Sequence, residues 1–198
     1  MVDDAQSARP TVESRRQQIL DAACDQVRQS GFHGASMADI AKAAGLSVGQ
    51  IYRYFENKEA MIAAIVAQDL AEMREKFAEL EREPGTLLDA LEQHLPDGVD
   101  KCFDLKRGAL VLEVLAEAAR NPKVAMIVRA ADEQERALAR AMMERSRKPE
   151  WSDAEFNARC EAVGLIFDGL VMRAVNHPDL DRTALTEVLR TTMRHLLS

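Results

Sequence analysis

From position 12 onward apolar side chains recur every three or four residues, and no stretch alternates regularly enough to be a strand. Ile19, Ala22, Ala23 and Val27 share one face of a first helix, closed by Ser30-Gly31. A short second helix opens at Ser36, with Asp39 as its capping-box partner. Its apolar face is Met37, Ile40, Ala41 and Ala44, and Gly45 ends it as a left-handed cap. Ser47 caps a third short helix with Gln50 in the reciprocal position, and Val48, Ile51 and Phe55 point inward. A long fourth helix starts near Asn57-Lys58 and keeps period through Ile62, Ile65, Val66, Leu70, Met73, Phe77 and Leu80 until Pro84-Gly85.

Beyond it the pattern predicts a helix over 86–95 interrupted by Pro96-Asp97-Gly98, then helices over 106–120 and 123–147. Ser152 and Glu155 form a third capping box, opening a helix to about 176, and 181–197 closes the chain. The sum is an all-α architecture of about nine helices. It divides into a three-helix head over 1–57 and a larger helical body over 58–198.

Charge sharpens that division. Of the 198 residues 33 are acidic and 26 basic, a net −7, yet seven acids balance seven bases up to Lys58. The body therefore carries the whole excess, and any contact with a polyanion has to come from the neutral head. With 47% hydrophobic and 30% charged residues the chain is an ordinary globular protein, not a disordered one. Apolar runs such as 164–167 stop far short of a membrane span. Residues 1–10 are polar and lack a secretory signal, and Cys24, Cys102 and Cys160 are odd in number and widely spaced. A cytoplasmic protein with free thiols is expected.

Two short amphipathic helices joined by Gly45-Leu46-Ser47 make a helix-turn-helix. Ala38, Ala41 and Ala44 keep the first helix thin, and Gly45 allows the sharp bend. The second turns Gly49, Gln50 and Arg53 outward, with Tyr52 and Tyr54 at the margins. Glutamine can bond adenine through donor and acceptor together, and arginine can grip guanine or phosphate. The helix starts at Ser36 and Ser47 suit phosphate oxygens.

The stretch SMADIAKAAGLSVGQIYRYFENKE at 36–59, with RQQILDAA at 16–23 and SGFHG at 30–34, closely resembles the DNA-binding head of the TetR family of bacterial transcriptional regulators. The match covers about residues 12–66, a third of the chain. The resemblance implies that 48–55 is the recognition helix, with base-facing positions at Val48, Gly49, Gln50 and Arg53. It implies that Tyr52, Tyr54 and Lys58 contact the phosphate backbone, with Ser36 and Ser47 as helix-start phosphate ligands. It further implies a homodimer on a near-palindromic operator of double-stranded DNA, repressing until a small-molecule effector releases it. Gln50 departs from the Thr, Ser or Ala common in relatives and points to a distinct operator preference. Arg15 and Arg16 reach flanking phosphates or lie on a solvated surface.

In the body, Phe156, Cys160, Val163, Phe167, Leu170 and Ala174 form one stripe, with Leu165, Ile166 and Met172 outside it. A helix apolar on several sides needs cover on several sides. With Gly164 permitting close approach, the expected dimer seam is Phe156, Cys160, Val163, Gly164 and Phe167 with Leu185, Leu189, Met193 and Leu196. The expected effector pocket takes Met73, Phe77, Glu113, Glu117, Met126, Arg129, Asp168 and Met172, its carboxylates favouring a cation. Pairing of those carboxylates with Arg129 or Arg173 is the plainer alternative.

Other chemistry finds little support. Gly45-Leu46-Ser47-Val48-Gly49 spells the G-x-S-x-G of serine esterases, but a helix rather than a strand precedes Ser47 and the serine is needed as a cap. The four histidines lack metal-ligand spacing, and no phosphate-binding glycine loop occurs. No catalytic residue, metal or cofactor is expected. The remaining alternative is a DNA-binding module without an effector, whose body only dimerises or binds a protein.

Overall fold

A computed structural model describes residues 11–197, and every element among them is helical. The polar segment 1–10, read above for the absence of a leader, lies outside the described residues. The helices are α1 (Val12–Gly34), α2 (Met37–Ala43), α3 (Val48–Ile51), α4 (Lys58–Arg82), α5 (Leu87–Cys102), α6 (Leu105–Ala118), α7 (Pro122–Met143), α8 (Asp153–Asn176) and α9 (Arg182–Leu197). A single 3-10 turn, Glu144–Ser146, follows α7. The chain forms two compact units that divide between Ile65 and Val66, within α4.

In the first unit, Ile19, Leu20, Phe32, Ile40, Ile51, Phe55 and Met61 make a closed apolar centre. Gly31 breaks α1 with φ 71° and ψ 168°, a backbone open to glycine, and the following turn brings Phe32 into that centre. Complete capping boxes start α2 and α3, as their sequences require.

The second unit holds two apolar clusters. One joins Leu80, Leu87, Met142, Met143, Trp151, Phe156 and Leu197; the other joins Leu95, Val99, Phe103, Leu170, Ala174 and Leu189. At Gly108 of α6 a side-chain carbon would meet Val171 and Val175 of α8 at 3.6 and 3.7 Å, ordinary contact distances, so the two helices pass close but not too close for alanine.

Three expectations change. The helix after Thr86 does not stop at Pro96 but continues to Cys102. Proline removes one N–H from the helical ladder, yet Leu95, Val99 and Phe103 are buried on either side of it and hold the next turns in register. The complete third capping box belongs to Thr86 and Asp89, not to Ser152. Ser152 does accept the Glu155 N–H, but the Glu155 carboxylate turns to Arg159 at 2.9 Å. The helix expected to reach 147 ends at Met143, and Arg147 instead ties the next loop by donating to the Trp151 carbonyl at 3.1 Å and to Asp153 at 2.6 Å.

The fully buried Phe156 ring lies 5.3 and 5.0 Å from the Arg140 and Arg147 guanidinium carbons. Truncation to Phe156→Ala leaves a cavity and should cost about 3–5 kcal/mol. Thr86→Ala removes only a cap and should cost about 1 kcal/mol. Urea denaturation of the two variants checks the order; equal losses would show that Phe156 is not the packing centre it occupies here.

Candidate nucleic-acid interface

Gly45 takes φ 66° with nothing within 4 Å of where a side chain would begin, so the turn rather than crowding requires glycine there. The Ser47 N–H donates to Gln50 Oε1 at 2.9 Å, and the Gln50 N–H donates back to Ser47 Oγ at 3.3 Å. Regular α-helix lasts only Val48–Ile51, and tighter bonds from Arg53 N to the Gln50 carbonyl and from Tyr54 N to the Ile51 carbonyl carry the turn on to Phe55. Ile51 and Phe55 are buried beneath it.

The outward side of this segment is Val48, Gly49, Gln50, Tyr52 and Arg53, all exposed, with Tyr54 half-buried. Val48, expected inward with Ile51 and Phe55, is 39% exposed, because only 51 and 55 share the buried face of so short a segment. Gly49 likewise has open space around it.

Two α1 side chains fasten the motif from behind, and their signal in the sequence is no stronger than helical spacing. Gln18 Nε2 donates to the Ala44 carbonyl at the end of α2, at 2.7 Å. Arg16 lies 4.3 Å over the Phe55 ring and reaches the Tyr54 carbonyl at 3.4 Å. Arg16 is therefore a brace for the segment after α3, while Arg15 bonds Gln18 at 2.9 Å. Lys58 Nζ donates to the Phe32 carbonyl at 2.6 Å and sits 4.5 Å over the Phe32 ring, so it ties the start of α4 to the end of α1. At the start of α2, hydrogen bonds from Ser36 hold the Asp39 carboxyl below the ordinary carboxylate range.

Ser47 shows no nucleophile geometry. Its hydroxyl meets only Gln50 Oε1 and the Gln50 N–H, and α2 precedes it. Among the described residues no group of three metal-ligating side chains gathers, and no helix is long and apolar enough to cross a membrane. Cys102 and Cys160 carry free thiols, and burial pushes both up.

In the body, four of the eight expected effector residues, Met126, Arg129, Asp168 and Met172, are exposed. Met126 and Met172 are 64% and 58% exposed and Arg129 is exposed, so none of the three encloses a ligand within one chain. Glu117 is buried, but its oxygens accept from Arg120 Nε at 3.0 Å and Asn121 Nδ2 at 2.9 Å at the end of its own helix. Neither Arg129 nor Arg173 is its partner in these bonds. Met73, Phe77 and Glu113 are half-buried, and Phe77 packs beside Leu80.

The charged group the sequence did not single out is Asp69, Arg107 and Glu135. Arg107 pairs with Asp69 at 2.7 Å and lies 3.7 Å from Glu72. Burial, followed by Asp69, Asp132 and Asp168, raises the half-buried Glu135 carboxyl above its ordinary range against an opposing pull from Arg107. Asp168 stands on the outer side of α8, where loss of water and then Asp132 and Glu161 raise its pKa.

Most residues expected at the dimer seam are covered at least in part within the chain. Phe156, Leu189 and Met193 are buried among this chain's own side chains, and Cys160, Val163, Phe167, Leu185 and Leu196 are half-buried against the same clusters. What α8 and α9 leave bare is Leu165 at 68%, Met172, Val175 and Val188, with open space at Gly164 and Gly169.

Comparison with known proteins places both units. A family described as bacterial regulatory proteins, tetR family, matches residues 19–65, and one described as BetI-type transcriptional repressor, C-terminal, matches 85–198, more than half the chain. The chain belongs to the TetR family. The HTH-type transcriptional regulator UidR of Escherichia coli K12 is 36% identical over 134 residues, 65% of this chain and 63% of that protein. The aligned part of the chain thus spans just under two thirds of the relatives' length. BetI of an E. coli strain is 34% identical over 90 residues, 46% of this chain and 45% of its own. Among solved structures, Salmonella enterica GusR superposes with TM-score 0.76 at 28% identity, covering 94% of this chain and 97% of that one. FadR of Bacillus subtilis, solved with stearoyl-CoA, shares the fold at TM-score 0.73 and 20% identity, covering 92% and 97%. TetR-family proteins are transcriptional regulators and not enzymes, in keeping with the capping role of Ser47.

A carboxyl whose folded pKa is raised stabilises the fold below its unfolded pKa, and that contribution is lost as pH rises through the folded value. Glu135 is such a group. Glu135→Gln should therefore lessen the decline in stability of the native chain as pH climbs from the ordinary carboxylate range to the raised pKa, leaving the share of Asp168. Denaturation midpoints against pH for both proteins check this, and parallel curves would refute it.

Proposed function

We propose that this TetR-family chain is a cytoplasmic repressor that binds a near-palindromic operator as a homodimer and is released by a small molecule. One observation carries the proposal. The turn at Gly45–Ser47 presents Val48, Gly49, Gln50, Tyr52 and Arg53 to solvent while Ile51 and Phe55 anchor the same segment from below. A short, thin, polar-faced helix held rigidly at its back is what a major groove about 12 Å wide admits. The family match covers the same residues.

Within that proposal, Gln50 and Arg53 read bases, Tyr52 holds the backbone beside Tyr54, and the starts of α2 and α3 at Ser36 and Ser47 approach phosphates. Lys58 approaches phosphate only by leaving the Phe32 carbonyl, so its first task is to fix α4 against α1. The acidic body repels DNA and leaves contact to the head.

A second copy of the chain covers Leu165, Met172, Val175 and Val188 on α8 and α9, giving two recognition segments about 34–36 Å apart or a multiple of it. The effector lies beside Asp69, Arg107 and Glu135, where α4, α6 and α7 contribute charged side chains. A ligand there competes for Arg107 or for the carboxylates and so acts on α4. The domain roles follow: the head, about 1–57, for the operator, and the body, about 58–198, for dimerisation and effector.

Selection of bound duplexes from random DNA at fixed salt tests the operator. Arg53→Ala should relax base preference at one position, whereas Tyr52→Phe should weaken all sequences alike. Loss of no preference with Arg53→Ala would refute its base-reading role. The dimer has its own test. Leu165→Glu should yield monomers by sedimentation and cut operator affinity at least tenfold, and a stable dimer of the variant would remove α8 from the seam.

A further inference from the structure

We infer that Gln50 reads guanine, and reads it as a hydrogen-bond donor alone; the inference rests on the DNA-binding proposal above. The Gln50 side-chain oxygen already accepts twice, from the Ser47 N–H at 2.9 Å and from Ser47 Oγ at 3.1 Å. A backbone N–H can only donate, so the oxygen of the amide and not its nitrogen has to face Ser47. Ser47 Oγ accepts the Gln50 N–H at 3.3 Å, which leaves its own proton directed at the same amide oxygen. Both lone pairs of that oxygen are thereby taken. What Gln50 has left to offer is Nε2 with its two hydrogens.

That restriction decides between bases. Adenine in the major groove presents an acceptor at N7 and a donor at N6, and pairing with both requires a free amide oxygen. Guanine presents acceptors at both N7 and O6, and cytosine presents a donor only. A donor-only amide therefore suits guanine best, finds a single acceptor on adenine (N7) or thymine (O4), and repels cytosine. The neighbours reinforce this polarity. Gly49 leaves open space beside Gln50, so a base edge can approach, and the exposed Arg53 guanidinium on the same segment is also a donor without an acceptor. The residue that completes the helix cap is in this way the residue whose chemistry toward DNA the cap has fixed.

The test is selection from random duplexes with the full-length parent, Gln50→Ala and Gln50→Glu, after thermal melting has shown each folded. The position whose preference vanishes in Gln50→Ala is the one residue 50 contacts. In the parent that position should hold guanine over adenine by on the order of five- to tenfold. Glutamate accepts the same two bonds from Ser47 and keeps the cap, but turns an acceptor outward, so Gln50→Glu should move the preference to cytosine in the oriented half-site. Adenine at that position in the parent, guanine retained by Gln50→Glu, or no position that depends on residue 50 would each overturn the inference while leaving DNA binding intact. A parent that enriches no duplex would remove the DNA-binding proposal itself, and this inference with it.

Discussion

A helix of one turn cannot hold its own shape, and α3 has only four residues. Nucleating a first turn fixes several backbone angles for a single hydrogen bond, so α3 exists through what grips it. Three grips are present. The Ser47–Gln50 box gives acceptors to two backbone N–H groups at its start, Ile51 and Phe55 supply burial beneath, and Arg16 reaches the Tyr54 carbonyl just beyond its end. Only the box lies on the exposed side. The outward residues are thus left free of structural duty, with one exception. Gln50 belongs to both sides at once, its oxygen to the cap and its nitrogen to solvent.

How far each feature was legible follows from how local its cause is. The boxes at Ser36 and Ser47 and the left-handed Gly45 depend on residues within four positions, and the sequence states them fully. Pro96 looked like a stop because its local effect is to break a helix, while the burial of Leu95, Val99 and Phe103 that overrides it comes from α8 and α9. Glu117 was legible in principle, since its partner Arg120 stands three residues away on the same helix edge, nearer than the expected Arg129 and Arg173. Faces of α8 were not legible. Phe156 and Leu165 are both apolar, and periodicity separates their faces without saying which one the chain itself covers. Met126 and Met172 misled for the same reason, since methionine fills cores and coats interfaces alike.

Asp69, Arg107 and Glu135 escaped because charged residues on amphipathic helices ordinarily face water. Only tertiary structure brings a carboxylate of α4 to an arginine of α6. Once together they alter one another: Arg107 offsets Glu135 less than burial and three neighbouring acids oppose it, and the result is a raised pKa. Arg107 divides its charge between Asp69 and Glu72, and under the proposed reading that shared guanidinium is what a charged ligand would compete for.

The way α4 is held within the second unit suits it to be moved. Its side chains there reach other helices largely through polar ties: Asp69 to Arg107, Glu72 to Lys101 at 2.9 Å, Arg74 to Gln134 at 3.2 Å, and Lys76 to His94 at 3.2 Å. Exposed pairs of this sort contribute about 0–1 kcal/mol each. The apolar hold comes from Leu70, buried like Leu80, and from Leu80 with Phe77 beside it. Regulation of binding needs a difference of about 1–3 kcal/mol between two states, a 5–150-fold change in affinity. Exchanging two or three of these ties for contacts to a ligand is of that size, whereas extracting Leu80 from its cluster is not. A ligand acting on α4 is therefore expected to work by exchanging the polar ties of the Asp69–Lys76 stretch while Leu70 and Leu80 stay buried.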